Sequence, residues 1–325
     1  MVVRRKSTAN TRQCRIGISG WTYAPWRKVF FPEKLPHRRE LEFASRQVTS
    51  IEINGTFYSL QKPGGYQKWR EETPHDFIFS LKGGRFITRI KRLREVEAAL
   101  ANYFASGPLA LQEKLGPILW QMPPSFKYDA ELLEGFFNQL PRDTAGALAL
   151  GRKHSAKVDG RIYLEVHESR PIRHALEIRH PSFENEEFIA LLRKHDIAIV
   201  VADIAGKWPL IEDITSDFMY LRLHGDEELY ASGYSEEALN RWASKIKSWI
   251  KGKNSRGART LASKQSQLHE GLDVFVYFDN DIKVHAPFDV IPLSARLGMK
   301  SPATWTEGDR LKNVCHSISN RLIKD

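Results

Sequence analysis

Cysteine is scarce in this sequence, which contains only Cys14 and Cys315, near the opposite ends of the chain. Two thiols cannot build a disulfide framework, and they exclude a zinc site with four cysteine ligands. Scarcity of this kind is typical of proteins that work in a reducing compartment. We therefore expect a cytoplasmic protein.

The sequence also lacks an apolar run of the roughly 20 residues that a bilayer-spanning helix needs. Residues 1–15 are polar and basic, without the apolar stretch of a secretory signal. We therefore expect no membrane partner. With 42% hydrophobic and 27% charged residues among 325, the composition is instead that of a globular protein with a large core.

Acidic residues are missing from two stretches of the chain. Residues 1–15 contain five Lys and Arg residues and residues 245–264 contain seven, while neither stretch has an Asp or Glu. These charges exceed the net charge of +10, so the rest of the chain is slightly acidic. Basic segments can bind nucleic acid by neutralising phosphates, but more often they are solvated surface. We prefer the second interpretation and keep a nucleic-acid partner as the alternative.

Eight short runs rich in Val, Ile, Leu and Phe recur along the chain, as is typical of buried parallel strands. Amphipathic stretches at helical spacing lie between most of them; only the segment around 206–213, after the sixth run, lacks one. The strands are predicted at 15–19, 50–53, 77–81, 117–121, 174–178, 197–202, 218–223 and 274–278, and the helices at 39–47, 66–72, 96–104, 109–115, 130–140, 185–195, 235–250 and 291–297.

This alternation indicates an α/β fold with right-handed crossovers, and eight repeats favour closure into a single (β/α)8 barrel of the TIM type. An open doubly wound sheet would usually carry a G-x-G-x-x-G turn after its first strand, and the sequence GISGW at 17–21 does not match it. We predict a basic flexible tail at 1–14 and one barrel domain at 15–325. Surface insertions are expected at 141–172 and 251–271, the second of them partly disordered.

Ionisable residues close most of the predicted strands, at the barrel end where active sites form. Such groups are seldom buried unless they are paired or functional. Carboxylates with nearby cations can divide the roles of general acid and base, and a histidine titrates near neutral pH. The predicted catalytic residues are Glu52, Lys82, Glu177, Asp203 and His224.

Aromatic and polar residues at the same strand ends predict substrate contacts. Aromatic faces stack on sugar rings or bases, and arginines hold anionic groups. We therefore expect a small polar or anionic ligand. The predicted substrate-binding residues are Trp21, Tyr23, Asn54, Tyr58, Gln121, Arg179, His180, Arg222 and Asn280.

Two other interpretations of these residues stay open. Buried ion pairs that only hold the barrel together would give the same residue types, for example Glu177 with Arg222. The second interpretation is that these residues bind a divalent metal, although the sequence requires no cofactor. Against a metal, Arg179 and Arg222 lie two residues from candidate ligands and so on the same strand face. The candidate ligands are Glu177, Asp203, His224 and Asp279.

Several of these residues lie in segments that resemble the YecE-like family, a domain of unknown function numbered seventy-two. The resemblance implies a barrel, in agreement with the strand count, and it implies no particular reaction. The segments cover nearly the whole chain: GISGW (17–21) with Tyr23 and Trp26, IEIN (51–54), TFY (56–58), LGPILWQMPP (115–124), ALEIRHPSF (175–183), YLRLHG (220–225) and YFDN (277–280).

The chain departs from the pattern of the resembled family at two places. That family commonly has Thr-His after the third strand, where this chain has Thr88-Arg89, and Phe-Asn-Asn after the last, where this chain has Phe278-Asp279-Asn280. If that histidine were an essential acid or base, this protein would need a substitute. The second change adds a charge to the predicted site.

The sequence therefore predicts an enzyme that acts on a small sugar- or phosphate-bearing substrate by acid–base chemistry. The alternatives are a nucleic-acid-binding or nucleic-acid-processing protein, a metal-dependent barrel of the isomerase or endonuclease kind, and a barrel that binds a metabolite without turnover. Nucleic-acid binding ranks below the enzyme because the sequence contains no helix-turn-helix or zinc-finger motif.

Overall fold

The computed structural model describes residues 13–225, 233–264, 271–280 and 284–299. Its strands are β1 (Cys14–Ser19), β2 (Ser50–Ile53), β3 (Ile78–Lys82), β4 (Leu115–Gln121), β5 (His174–Glu177), β6 (Ile197–Asp203), β7 (Phe218–Leu223) and β8 (Asp273–Phe278). All pair in parallel with their sequence neighbours, and β8 pairs with β1 to close the barrel. The predicted (β/α)8 fold is confirmed, and each strand lies within two residues of its predicted bounds.

The helices surround the barrel. They are α1 (Glu40–Ala44), α2 (Gly55–Tyr58), α3 (Pro63–Glu72), α4 (Glu97–Ala105), α5 (Ala130–Gln139), α6 (Thr144–Gly151), α7 (Glu186–Lys194), α8 (Glu236–Ile250) and α9 (Ala286–Arg296). The stretch predicted at 109–115 is a 3-10 helix, Pro108–Lys114, and the residues from 204 to 217 contain no helix, as predicted. Every helix within the described ranges is too short or too polar to cross a membrane.

The barrel interior is filled by side chains from alternate positions of each strand. Val200 pairs with Tyr220, and Ala202 pairs with Arg222, so these four residues point inward in layers. The interior is partly polar: the Tyr277 hydroxyl lies 2.7 Å from Ser50 Oγ and 2.6 Å from Ser80 Oγ. A second and larger apolar core lies between the strands and the helices. Polar side chains inside the barrel thus include Ser50, Ser80 and Tyr277, and Arg222 lies near the carboxyl end of β7.

The two predicted insertions are more ordered than the sequence suggests. Within 141–172, α6 packs on α4 and buries Ala147, so this insertion contributes to the core as well as to the surface. The described part of 251–271 is tied to the barrel by two buried carboxylates that follow β6: Glu212 accepts the backbone N–H of Arg259, and Asp213 accepts those of Leu261 and Ala262.

The predicted disorder in the second insertion falls mostly on residues 265–270, which lie outside the described residues, as does the predicted tail up to residue 12. Strand β1 already begins at Cys14, inside the segment predicted to be tail. Gln13 precedes it and donates its backbone N–H to Asp273 Oδ1 at 2.8 Å, beside the start of β8.

Candidate active site

A cavity of about 710 Å³ opens at the carboxyl ends of the strands, where TIM-type barrels place their active sites. Six of the eight strands contribute residues at or beyond their ends, and α3 contributes one more. The cavity is lined by Gly20, Trp21, Thr22, Tyr23, Ile53, Asn54, Gly55, Phe57, Tyr58, Trp69, Lys82, Arg89, Gln121, Arg179 and Asp279.

Beneath the cavity, the guanidinium of Arg222 joins three carboxylates in a buried ionic network. It donates to Glu52 from Nε (3.1 Å) and from Nη2 (2.9 Å). Its Nη1 donates to Glu177 Oε2 at 2.8 Å, and its Nη2 donates to Asp279 Oδ2 at 2.6 Å. Burial opposes the charge, but the carboxylates hold the pKa of Arg222 well above its ordinary value. Arg222 therefore stays charged and holds three strands together at the cavity floor.

Glu52 is enclosed by its partners. Besides Arg222, it accepts hydrogen bonds from Ser19 Oγ at 2.9 Å and from the Tyr220 hydroxyl at 2.6 Å. Its side chain has no exposed surface. Each carboxylate oxygen already accepts two hydrogen bonds, so Glu52 orients Arg222 and does not reach a ligand in the cavity.

Glu177 is enclosed in the same way. Gln121 Nε2 donates to it at 2.9 Å and Arg179 Nε at 2.8 Å, in addition to the bond from Arg222. Burial would raise the pKa of Glu177, but Arg179 and then Arg222 outweigh burial and hold the pKa well below its usual range. An ionised, fully bonded carboxylate is a poor proton acceptor. Glu177 therefore positions its neighbours.

His224 and Asp279 form the side of the network nearest the cavity. His224 is fully buried, with Nδ1 3.1 Å from Asp279 Oδ2 and Nε2 3.4 Å from Arg222 Nη1. Asp279 is 13% exposed and lines the cavity. Burial acts to raise the pKa of Asp279, but Arg222 and then His224 hold it well below its usual range. Asp279 is thus the only one of the three carboxylates that a ligand can touch directly.

Lys82 ends strand β3 and brings an amine to the cavity. The side chain is 9% exposed, and Nζ lies 4.7 Å from the centre of the Phe57 ring. Across the described ranges, no acceptor forms a hydrogen bond or salt bridge with this nitrogen. Burial, and then the nearby Arg222, lower the pKa of Lys82 to about 8. A group that titrates near neutral pH within a cleft is a candidate for proton transfer.

Arg89 and Arg179 add two cations to the cavity wall. Arg89 donates from Nη2 to Gln121 Oε1 at 3.2 Å and lies 4.9 Å from the Phe57 ring, without a carboxylate partner in the described part of the chain. Arg179 pairs with Glu177 and stacks on Trp208 at 4.0 Å. Stacking holds a guanidinium plane in place while leaving edge donors for a ligand.

Aromatic side chains also line the cavity. Trp21 packs edge-on against Trp69, with ring centres 5.7 Å apart. The Tyr23 hydroxyl donates to the carbonyl oxygen of Ser19 at 2.5 Å, which holds the loop after β1. Tyr58 is 64% exposed at the rim. Aromatic rings beside cations suit a ligand with both an anionic group and an apolar or ring face.

Three predicted site residues belong neither to the cavity lining nor to the buried network around Arg222. Asp203 accepts from Tyr234 OH at 3.2 Å and from Trp242 Nε1 at 3.1 Å, toward α8 on the outside of the barrel. His180 accepts the backbone N–H of Ser182 at 3.1 Å and caps a short 3-10 helix. Asn280 is buried and donates to Asp289 Oδ2 at 2.8 Å in α9. None of the three lines the cavity. Asn54, by contrast, lines the cavity as predicted.

The candidate metal ligands do not form a ligand set. Asp203 points away from the other three residues, and Arg222 lies between Glu177 and Asp279. A guanidinium that already bonds the carboxylates competes with any cation there, as the strand spacing predicted. Across the residues described, no three His, Cys, Asp or Glu side chains converge on a metal-binding geometry. The residues present therefore do not fit a metal at this position.

Among the contributors to the cavity that sequence reasoning missed, two lie away from the strand ends. Arg89 lies on a turn of π-helix, Phe86–Ile90, and Trp69 lies on α3, so neither directly follows a strand. The only signal for Arg89 was the departure from the resembled family at Thr88-Arg89. The turns of π-helix that occur in proteins are frequent at functional sites, but periodicity in the sequence does not reveal them.

A family model described as "Protein of unknown function DUF72" matches residues 15–311 of the chain. UPF0759 protein YecE of Escherichia coli (strain K12) is 28% identical over 128 residues, which are 39% of this chain and 44% of that protein. UPF0759 protein YunF of Bacillus subtilis (strain 168) is 27% identical over 116 residues, which are 34% and 40% of the two chains. The chain thus matches less than half the length of either relative.

Two crystal structures share the fold. A DUF72 family protein from Thermotoga maritima has a TM-score of 0.64 at 23% identity, covering 88% of this chain and 99% of that one. A DUF72 family protein from Enterococcus faecalis has a TM-score of 0.63 at 13% identity, covering 89% and 96%. At these identities the likeness supports the barrel and says nothing about a reaction.

Proposed function

The chain belongs to the DUF72 family, and we propose that it is an enzyme that acts on a small anionic substrate in the cavity at the carboxyl ends of its strands. The observation that carries the proposal is Lys82: a buried ammonium group, unpaired within the described residues, that faces a cavity of about 710 Å³. Burying an unpaired charge is costly, so such a group is expected to serve a bound ligand.

The charge balance of the site favours an anion. Four cations face three carboxylates, and two of those carboxylates have no exposed surface left for a ligand. Arg89 and Arg179 would bind a phosphate or carboxylate through charge-assisted hydrogen bonds. The aromatic rings of Trp21 and Tyr58 would pack against the rest of the substrate.

Lys82 would transfer the proton. With a pKa of about 8, it has both charged and neutral forms available near neutral pH, as an efficient general acid or base requires. Asp279 stays ionised beside it and would stabilise positive charge that develops on the substrate. Glu52, Glu177 and His224, predicted from the sequence as catalytic, would act by holding Arg222 and Asp279 in position.

Sulfate binding tests the anion site, because sulfate keeps its charge over the whole range from neutral to alkaline pH. We expect calorimetry to show one site, weakened about tenfold in Arg89→Met, which removes one charge-assisted contact. Arg92→Met is the matched control, since Arg92 is half-buried and bonds Ser125 outside the cavity. Absence of sulfate binding, or equal effects of the two substitutions, would overturn the proposed site.

Turnover tests the enzyme hypothesis. A panel of small phosphorylated and carboxylated metabolites, followed by NMR, is expected to contain a compound that the wild type converts and Lys82→Met does not. Sulfate affinity of the wild type is expected to fall as pH rises through about 8, where Lys82 loses its charge, and that step should be absent in Lys82→Met. Ligands that bind without conversion would instead favour a metabolite-binding barrel.

A further inference from the structure

The amine of Lys82 is buried at the cavity without a hydrogen-bond acceptor among the described residues, and proton transfer alone does not explain this. Three carboxylates lie near this nitrogen. Two of these, Glu52 and Glu177, already accept hydrogen bonds at both of their oxygens from Arg222 and other neighbours. Lys114 provides the contrast: it also has little exposed surface, but its ammonium donates to the carbonyl oxygens of Arg70 at 2.6 Å and Thr73 at 2.9 Å. Lys82 alone of the two is left free to react.

We propose that Lys82 is a nucleophile that forms an imine with a carbonyl group of the substrate. The inference rests on the proposed function, since it assumes the same cavity and the same anion-binding arginines. It narrows the substrate to an anion that also carries an aldehyde or ketone. Lysines of this kind are activated by an apolar pocket or by a neighbouring cation, and Lys82 has both, in Phe57 and Arg222.

The position of Lys82 suits a nucleophile. It is the last residue of β3, and its carbonyl oxygen accepts the Thr56 hydroxyl at 2.7 Å, so its backbone is held on the rigid barrel. The side chain passes the Phe57 ring and ends at the cavity. Arg89 lies over the same ring, so an anionic group bound by Arg89 would bring its attached carbon chain toward the amine.

The lowered pKa of Lys82 also favours its action as a nucleophile. At a pKa of about 8, on the order of a tenth of the amine is neutral at pH 7. An ordinary lysine, with a pKa near 10.4, has roughly a thousandth or less in that form. Only the neutral amine has a lone pair for attack on carbon.

The step balances without a co-reactant. The ammonium loses one proton to water, and the neutral nitrogen attacks the carbonyl carbon while the carbonyl oxygen takes up a proton to give a carbinolamine. Loss of water then gives the iminium ion. The net change is one ammonium and one carbonyl going to one iminium and one water, with the single positive charge conserved. No electrons are transferred to or from an outside group.

Reductive trapping tests the inference. The full chain is mixed with pyruvate, and separately with pyridoxal 5′-phosphate, then reduced with sodium cyanoborohydride and analysed by peptide mass spectrometry. Both probes combine an anionic group with a reactive carbonyl. We expect one adduct per chain, on Lys82, with a labelling midpoint near pH 8. Excess sulfate should suppress labelling by competing for the arginines.

Lys114 is the internal control for burial, and Lys82→Arg is the control for charge, because arginine keeps the positive charge but forms no stable imine under these conditions. Label spread over the exposed lysines, or no label on Lys82 from either probe, would overturn the inference. If sulfate still binds in that case, the anion site stands and only the imine fails. If sulfate does not bind either, the proposed function fails with it.

Discussion

Arg222 uses all five of its N–H groups, and this explains why an arginine stands at the cavity floor. Nε and the two terminal nitrogens donate to Glu52, Glu177 and Asp279, and Nη1 also lies 3.4 Å from His224 Nε2. A lysine has three donors at a single point and could not bridge groups on four strands. The arrangement favours the His224 tautomer with its proton on Nδ1, facing Asp279.

Removing the Arg222 charge should therefore destabilise the whole barrel. Arg222→Met leaves three buried carboxylates without their cation, and we expect it to lower the free energy of unfolding by about 3–5 kcal/mol. Urea denaturation measures the loss. Glu52→Gln in the same chain should recover part of it, because one uncompensated charge is gone. A loss under about 1 kcal/mol would show that the network does not hold the barrel together.

His174 makes a separate prediction about pH. It is fully buried, accepts from Trp120 Nε1 at 3.2 Å and donates from Nε2 to the carbonyl oxygen of Pro141 at 2.8 Å. Burial lowers its pKa from 6.5 to about 4. As pH falls below 6.5, His174 is protonated in the unfolded chain but stays neutral in the folded chain. The free energy of unfolding therefore decreases until about pH 4.

His174 contributes roughly 3 kcal/mol to the free energy of unfolding, and this contribution is lost between pH 6.5 and about pH 4. Chemical denaturation at several pH values should show a flatter dependence in His174→Gln than in the wild type across this window. His75→Gln, at an exposed histidine, is the control and should follow the wild-type curve. Identical slopes in His174→Gln and the wild type would mean that His174 does not titrate as its burial implies.

At the scale of elements, the strands were predictable and the direction of their side chains was not. A strand buried on both faces is apolar at every position, so its sequence does not say which residues point inward. On β6 the register decides: Ala202 pairs with inward-pointing Arg222, and Asp203 therefore pairs with outward-pointing Leu223. Asp203 was predicted in the site because it is the polar residue that closes β6, and it bonds Trp242 of α8.

The boundaries of α5, α7 and α8 lie within one residue of their predicted positions because capping is local. Asp129, Asn185 and Ser235 each accept a backbone N–H three residues on, at the starts of α5, α7 and α8. The π-helical turn that carries Arg89 has no comparable signal. The position of this turn depends on how the chain leaves β3 and packs against neighbouring elements. A local sequence pattern does not predict such packing.

The contact between β1 and β2 gives a prediction at this scale. A Cβ at Gly17 would lie 1.7 Å from the carbonyl oxygen of Ser50, its partner in the register, so Gly17→Ala must force the strands apart. We expect a loss of about 3 kcal/mol or more in stability, measured by thermal unfolding. Gly135→Ala is the matched control, since its Cβ would meet nothing within 4 Å in α5.

That control substitution should leave stability unchanged or raise it by about 0.5–1 kcal/mol, because alanine favours a helix over glycine. If Gly17→Ala unfolds at the wild-type temperature, the close approach of β1 and β2 is not as tight as the register indicates. If both variants lose stability equally, the effect comes from glycine replacement in general and not from this strand contact.

At the scale of the whole molecule, the net positive charge is concentrated in two segments of the sequence, 1–15 and 245–264. Residues 1–12 carry four basic residues and no acid. The described part of the second basic segment, by contrast, is held against the barrel by Glu212 and Asp213. Any contact with polyanions is therefore expected to depend on the tail, and catalysis in the cavity is expected to be independent of it.

Deleting residues 1–12 tests this separation and the nucleic-acid alternative together. We expect weaker binding of single-stranded nucleic acid. The slope of the logarithm of the binding constant against the logarithm of salt concentration should become shallower by roughly 3, because four charges are removed. Sulfate binding in the cavity should be unchanged. Nucleic-acid affinity that survives the deletion, and is lost in Arg89→Met, would instead make the cavity itself a nucleic-acid site.

The sequence by itself determined the barrel, its eight strands and the end that carries the site, because apolar runs, their alternation with helices and the order of parallel strands are encoded locally. It also predicted Lys82, Arg179 and Arg222 as site residues. Only the tertiary structure decided which groups a ligand can touch. Burial and pairing depend on contacts between distant strands: Arg222 encloses Glu52 and Glu177, while Lys82 is left at the cavity without a partner in the described chain.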